Sequence, residues 1–377
     1  MNKEKEMIER LQNSPMFQLS LASKVLFHIN FLYWLWKAEG DIFWSVMNYF
    51  GIERDNEIVV RREWENFDLS LVRVVKRKRR ECNDEVEYVA DVVAVIENKV
   101  KSLPRMEQLE EYNGKIKAVD KDSECTKILL SLPNPSFSTS VIGWRYVRYE
   151  DYLSVLRTHA DKATTCYTKA LVEDYCSLID ALCAMKDDWL CHDDSEFLDM
   201  QYTSILNSDT DKEMRELRIN DVRHKIIYSK MCELLCKRLV HLGEKVACDS
   251  ALTRSIGLIS CRITTRNGAI LEYGIQVQGC QYRRFVAKRS SRVSDDDCIN
   301  QITSSFPTEC FKKPFVHNGM KKIGSYGEGF KYLYTNINDN ITINDIVTQI
   351  AVDIEYLTNR YGSNLLEQKE QSKKREQ

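Results

Sequence analysis

The chain has 377 residues, 43% of them hydrophobic and 29% charged, with a formal net charge of −2. That length suits two domains and that composition supports a packed core. The near-neutral balance excludes a chain held to nucleic acid by bulk positive charge, while leaving room for a local basic stripe.

Residues 1–15 hold no apolar signal-peptide core, and the longest apolar run, VLFHINFLYWLW, is twelve residues with His28 and Asn30 inside it. No membrane span is expected, and a cytoplasmic location is. Thirteen cysteines run from Cys82 to Cys310 without a C-x-x-C pair. Cys232 and Cys236 stand four apart in a helical pattern. Reduced thiols serving as small buried hydrophobes are expected, and a structural zinc site is not.

Residues 23–37 carry apolar side chains at helical spacing, with Ser23 as a candidate N-cap, and residues 41–50 form a second helix closed by Gly51. The period then shortens. Phe67, Leu69 and Leu71 alternate with Asp68, Ser70 and Val72, the mark of a strand. KRKRRECNDE is a charged turn, and VEYVADVVAVIENKV is a strand whose apolar second half places it centrally in a sheet. Pro104 opens a helix with an apolar stripe at Met106, Leu109, Ile116 and Val119. TKILLSLPN is another short strand, and WRYVRYEDYLSVLRTH is a strand running into a helix.

This order defines a mixed α/β unit over 1–160. An α+β extension over 161–365 follows, of unassigned role: helical to about 250, then an antiparallel hairpin marked by Arg266-Asn267-Gly268, then a last helix. Residues 366–377 read as a disordered tail.

The chemistry concentrates at VVAVIENKVKS, residues 92–102. Positions 97 and 99 of a strand point the same way, so Glu97 and Lys99 project together from the end of a buried strand. Burying either charge alone costs several kcal/mol. Asp68 lies on the preceding strand, which a hairpin brings to roughly 4.8 Å away. Two carboxylates at that separation repel unless a hard divalent cation lies between them, and Mg²⁺ accepts such a pair together with waters and a phosphate oxygen. A lysine beside the metal can orient water and stabilise charge developing on phosphate.

The set resembles the PD-(D/E)XK nuclease superfamily: Asp68 in ENFDLSL, Glu97-Asn98-Lys99 in VIENK, and a following helix with Gln108 and Tyr112, similar to the Q-x-x-x-Y motif of its RecB-type branches. The opening helix is similar to that of a stand-alone bacterial branch. The resemblance covers residues 20–155 and implies a restriction-endonuclease-like mixed sheet flanked by helices. It further implies Mg²⁺- or Mn²⁺-dependent hydrolysis of nucleic acid, with DNA expected, and a place in bacterial defence against foreign DNA. By that resemblance Asp68, Glu97 and the backbone carbonyl of Asn98 hold the metal, Lys99 positions the attacking water, and Gln108 and Tyr112 guide the strand. Phe67 replaces the family's proline, and no acid stands in the first helix. Glu63 is the substitute candidate, although strict alternation sets it on the opposite side from Asp68 unless a bulge intervenes.

Plainer readings stand beside these. Glu97 and Lys99 also fit an exposed cross-strand ion pair, and Gln108 and Tyr112 a surface pair on a helix. The run KRKRR, residues 76–80, fits a solvated hairpin tip, with phosphate contact as its rival. Arg283, Arg284, Lys288 and Arg289 fit either a nucleic-acid contact or a charged edge strand. A catalytically silent binding or sensing protein of the same fold, an RNA-directed nuclease and a partner-activated one remain alternatives, with a homo-oligomer or protein partner allowed.

Overall fold

The computed structural model describes residues 3–14, 16–17, 26–78, 85–119, 124–206, 210–253, 256–266, 270–290, 324–325 and 330–361. Two units form, Met1–Trp189 with Lys212–Val222, and Leu190–Asp211 with Arg223–Gln377. Ser23, Arg79, Arg80, the Asn267-Gly268 turn and the 366–377 tail lie outside the described residues.

The first unit opens with helices α1 (Lys3–Asn13), α2 (Leu26–Ala38) and α3 (Gly40–Tyr49). Gly51 adopts φ +85° and its N–H donates to Asn48 O at 2.9 Å, the left-handed stop that glycine supplies at a helix end. Strands β1 (Ile58–Arg62), β2 (Leu69–Lys78), β3 (Glu85–Lys99), β4 (Thr126–Ser131) and β5 (Arg145–Arg148) form a mixed sheet in the order β1-β2-β3-β4-β5. The β1/β2 and β2/β3 pairs are antiparallel, while β3/β4 and β4/β5 are parallel. Helix α4 (Met106–Val119) crosses from β3 to β4, and α5 (Tyr149–His159) and α6 (Cys166–Leu190) follow β5. The architecture is α/β.

Pro104 stands two residues ahead of α4 rather than in its first turn, so its ring closes the extended stretch after β3. The alternation at 67–72 does not mark a wet face, since Phe67, Leu69, Ser70, Leu71 and Val72 are all buried. Strand β2 is interior to the sheet, with a register shift between Leu71 and Val72 that pairs Leu71 with Ala94 and Val72 with Val92. This bulge lets Val92 and Val95, an odd number of residues apart, share one core cluster with Phe67, Leu109, Tyr112, Ile116, Leu129 and Trp144.

Asn113 fastens α4 to the sheet edge: its Oδ1 accepts from Lys127 Nζ and Trp144 Nε1, both at 3.1 Å. Helix α6 belongs to this unit, which therefore extends past residue 160. Tyr175 stacks on Phe31 with centroids 3.6 Å apart, and Asp180 pairs with Arg10 at 2.9 Å.

In the second unit, helix α7 (Asn220–Arg238, whose first three residues belong to the first unit) precedes β6 (Val246–Thr253), β7 (Ile256–Arg266), β8 (Ile270–Gln278) and β9 (Gln281–Ser290). With β10 (Gly324–Ser325) and β11 (Phe330–Asn336) they make an antiparallel sheet ordered β10-β11-β9-β8-β7-β6, and helix α8 (Ile343–Tyr361) packs on β7 and β8. Strand β6 carries only a weak periodicity, VACDSALT, and sequence reasoning missed it. No helix among the described residues is long and apolar enough to cross a membrane.

Candidate active site

Strand β3 lies in the middle of the five-stranded sheet, so its last residues are enclosed from both sides. Glu97 is 1% exposed, Asn98 0% and Lys99 8%. Alternation sends Glu97 and Lys99 toward α4 and Asn98 to the opposite face. The Lys99 ammonium contacts Glu97 Oε1 at 2.5 Å, and Gln108 Nε2 donates to the same oxygen at 3.0 Å. Gln108 also donates to the Tyr112 hydroxyl at 2.8 Å, so one turn of α4 holds the amide against the strand. These contacts are half-buried on the inner face of α4, between a buried Glu97 and a buried Tyr112, and not a solvated surface pair.

Asp68 sits one residue ahead of β2, where Leu69 pairs with Ile96. Its Oδ2 accepts the backbone N–H of Asn98 at 2.8 Å. Asp68 and Glu97 are neighbours whose carboxyl groups act on each other's protonation. Burial, followed by the charge of Asp68, pushes the Glu97 carboxyl up to about 7 against the pull of Lys99. Burial also raises Asp68, opposed by the Asn98 N–H and Lys99, with the charge of Glu63 adding to the rise. Tyr112 is pushed up to about 12 by burial and then by the charge of Glu97. The second Glu97 oxygen, Oε2, is buried and receives no donor.

Glu63 reaches this neighbourhood by a route that alternation does not describe. Glu63, Glu65 and Asn66 have φ of 52°, 53° and 66°, and a 3-10 turn at Trp64–Asn66 separates β1 from β2. Left-handed backbone at non-glycine residues costs about 1–3 kcal/mol each, and such cost collects at functional sites. The turn returns Glu63 N to Asp68 O at 3.3 Å and leaves the Glu63 side chain exposed.

On the far face, Tyr149 donates its hydroxyl to Asn98 Oδ1 at 2.5 Å. Both are fully enclosed, which pins the strand end between α4 and α5. Sequence reasoning missed Tyr149: it ends the WRYVRY strand pattern with no spacing signal linking it to position 98.

The arginines of β9 belong to the second unit. Arg283 is half-buried, bonded to Gln281 at 2.9 Å and Gln276 at 3.1 Å and to Gln278, with its guanidinium 4.7 Å from the Tyr332 ring centroid. Arg284 points to the opposite face, is 1% exposed and faces Asp353 at 3.5 Å. A buried guanidinium paired inside the fold is not a phosphate contact, so the surface reading of Arg284 gives way to an internal ion pair. Lys288 and Arg289 are placed only as positions along β9.

Two neighbouring carboxyls, one with a buried oxygen that receives no donor, fit a hard cation that keeps several of its waters. No group of three or more His, Cys, Asp or Glu side chains with metal-holding geometry occurs among the described residues, so protein carboxylates alone supply two positions. No family model matches the chain, and neither a curated protein nor a solved structure does.

Proposed function

We propose that the first unit is a divalent-metal-dependent nuclease, with DNA as the expected substrate, on a restriction-endonuclease-like core. The observation that carries this reading is Asp68 seated beside Glu97 and Lys99 at the end of the central strand, with Glu97 Oε2 buried and undonated. The sheet order adds support: an antiparallel β1-β2-β3 hairpin unit continued in parallel by β4 and β5.

Asp68, Glu97 and the carbonyl of Asn98 would hold Mg²⁺ or Mn²⁺. When bound, such an ion neutralises charge developing on phosphate and lowers the pKa of bound water. Lys99, already beside Glu97 Oε1, orients the attacking water and donates to a phosphate oxygen. Gln108 keeps Glu97 in place through Oε1, with Tyr112 fixing the amide, so both are positioning residues. Tyr149 and Asn98 keep the strand end from shifting.

The test is cleavage of supercoiled plasmid, single-stranded DNA and RNA with Mg²⁺ or Mn²⁺, wild type against Lys99→Ala. The expected result is metal-dependent cleavage that falls by at least about 10²-fold in the variant, the scale of losing one electrostatic donor. No cleavage with either ion, or equal cleavage by the variant, removes the proposal.

A further inference from the structure

Helix α8 takes one face of the second unit's sheet. On β9 the even-numbered side chains turn toward it: Tyr282 donates its hydroxyl to Asp353 Oδ2 at 2.9 Å, and Arg284 meets the same carboxylate. Alternation sends Arg283 and Phe285 to the other face. There the register sets Gln276 of β8 and Tyr334 of β11 directly across from Arg283, Tyr332 across from Phe285, and Gln278 across from Gln281.

Arg283 holds three carboxamides. Its Nε and Nη2 donate to Gln281 Oε1 at 2.9 and 2.6 Å, and its Nη1 donates to Gln276 Oε1 at 3.1 Å and to Gln278 Oε1. A guanidinium only donates, so each amide turns its oxygen toward Arg283 and its NH2 group away. Those NH2 groups have no acceptor among the described residues, and the three glutamines are half-buried. No carboxylate among the described residues pairs with Arg283 either. Asp249 and Glu272, acids of the same face, lie against Arg262 at 2.5 and 3.5 Å. The patch is therefore positive and rich in donors.

Beside it, β11 lines up Phe330, Tyr332 and Tyr334, alternate residues of one strand with successive ring centroids 6.0 and 6.1 Å apart. The Arg283 guanidinium lies 4.7 Å from the Tyr332 ring centroid, and Phe330 stacks on Phe285 at 4.9 Å. All three rings of β11 are half-buried rather than enclosed.

We infer that this face binds single-stranded nucleic acid, with bases stacking on Tyr332 and Tyr334 and the amides of Gln276, Gln278 and Gln281 donating to phosphate or base-edge oxygens. Rings one strand step apart take successive bases, because every base has a π-face. Amide NH2 groups around an uncompensated guanidinium match a chain of phosphates and carbonyls, which are acceptors. Arg283 beside the Tyr332 ring adds a cation–π contribution. A duplex keeps its bases stacked on one another and offers the rings none, which selects the single strand. All these residues belong to the second unit, so the binding does not depend on the first unit's chemistry.

The test follows the fluorescence anisotropy of labelled oligothymidylate and oligouridylate, each of about 15 nucleotides, added to the full chain in EDTA, where metal-dependent cleavage is silent. Binding of either strand is expected, weakened about tenfold in Tyr332→Ala and in Tyr334→Ala and kept within about twofold in Tyr332→Phe, the pattern of a lost stacking ring. Circular dichroism checks the fold of each variant. A strand carrying iodouracil, photocrosslinked to the wild-type protein and mapped by peptide mass, needs no variant: attachment at Tyr332 or Tyr334 is expected and should persist under excess unlabelled duplex. Unchanged affinity in both alanine variants, crosslinks confined to the first unit, or displacement by duplex each overturns the inference. Because no arm reads cleavage, such a result leaves the nuclease proposal standing.

Discussion

The carboxylate of Asp68 accepts the backbone N–H of Asn98 at 2.8 Å, tying the start of one strand to the end of its neighbour through the two residues that flank the buried charges. One oxygen of Asp68 is thereby spent on structure while its group still faces Glu97. Asp68→Ala leaves the enclosed Asn98 N–H without a partner, at a cost of about 1–3 kcal/mol. Urea unfolding in EDTA should show that loss, while Asp68→Asn, which keeps an acceptor oxygen, should recover most of it and still not cleave.

The metal-free protein should lose stability as pH rises from about 4.5 to about 7. Glu97 holds its proton in the fold up to about 7, whereas the unfolded chain releases it at an ordinary carboxylate pKa. The native state therefore binds more protons within that window, and its stability falls on the way up, by at most about 1.4 kcal/mol per pH unit. Urea midpoints in EDTA at pH 5, 6 and 7 measure this. Glu97→Gln should flatten the trend; a midpoint that rises over the window contradicts the burial-driven shift.

Gln108→Ala should separate positioning from folding. The side chain is only half-buried, so stability should change by about 1 kcal/mol or less. Glu97 Oε1 loses its amide donor, and cleavage at saturating Mn²⁺ should drop about tenfold. A variant that cleaves like wild type while unfolding earlier would make Gln108 a structural residue alone.

Much of this site is legible in the sequence because its signals are local. The apolar run VVAVI followed by Glu97 and Lys99 encodes both the strand and the shared face, and alternation at 67–71 brings Asp68 to the neighbouring strand. What is not legible depends on distant packing. Tyr149 meets Asn98 only after the chain has crossed to a parallel strand and turned into α5. The left-handed turn at Glu63 replaces the bulge that alternation requires. Arg283 and Arg284 look equivalent in YRRF, yet α8, some 60 residues later, decides that Arg284 faces inward to Asp353.

Gly274→Ala should be among the most damaging changes in the second unit. A Cβ there meets the Cys261 carbonyl at 2.3 Å and the Phe285 ring at 2.7 Å. The ring can turn, but the carbonyl belongs to the sheet, so a loss above about 2 kcal/mol is expected in thermal or urea unfolding. An unchanged midpoint would mean that β8 shifts freely against β7.

The account rests on the Asp68–Glu97 pair being a seat for a cation rather than a buried pair sharing a proton. Titration of the EDTA-treated protein with Mn²⁺ at pH 7.5, followed by the loss of the free-ion electron paramagnetic resonance signal, decides between the two. The expected result is saturable Mn²⁺ binding by wild type and Lys99→Ala that is lost in Asp68→Asn and Glu97→Gln. Wild-type protein that binds no Mn²⁺, or binds it equally in all four forms, contradicts the account.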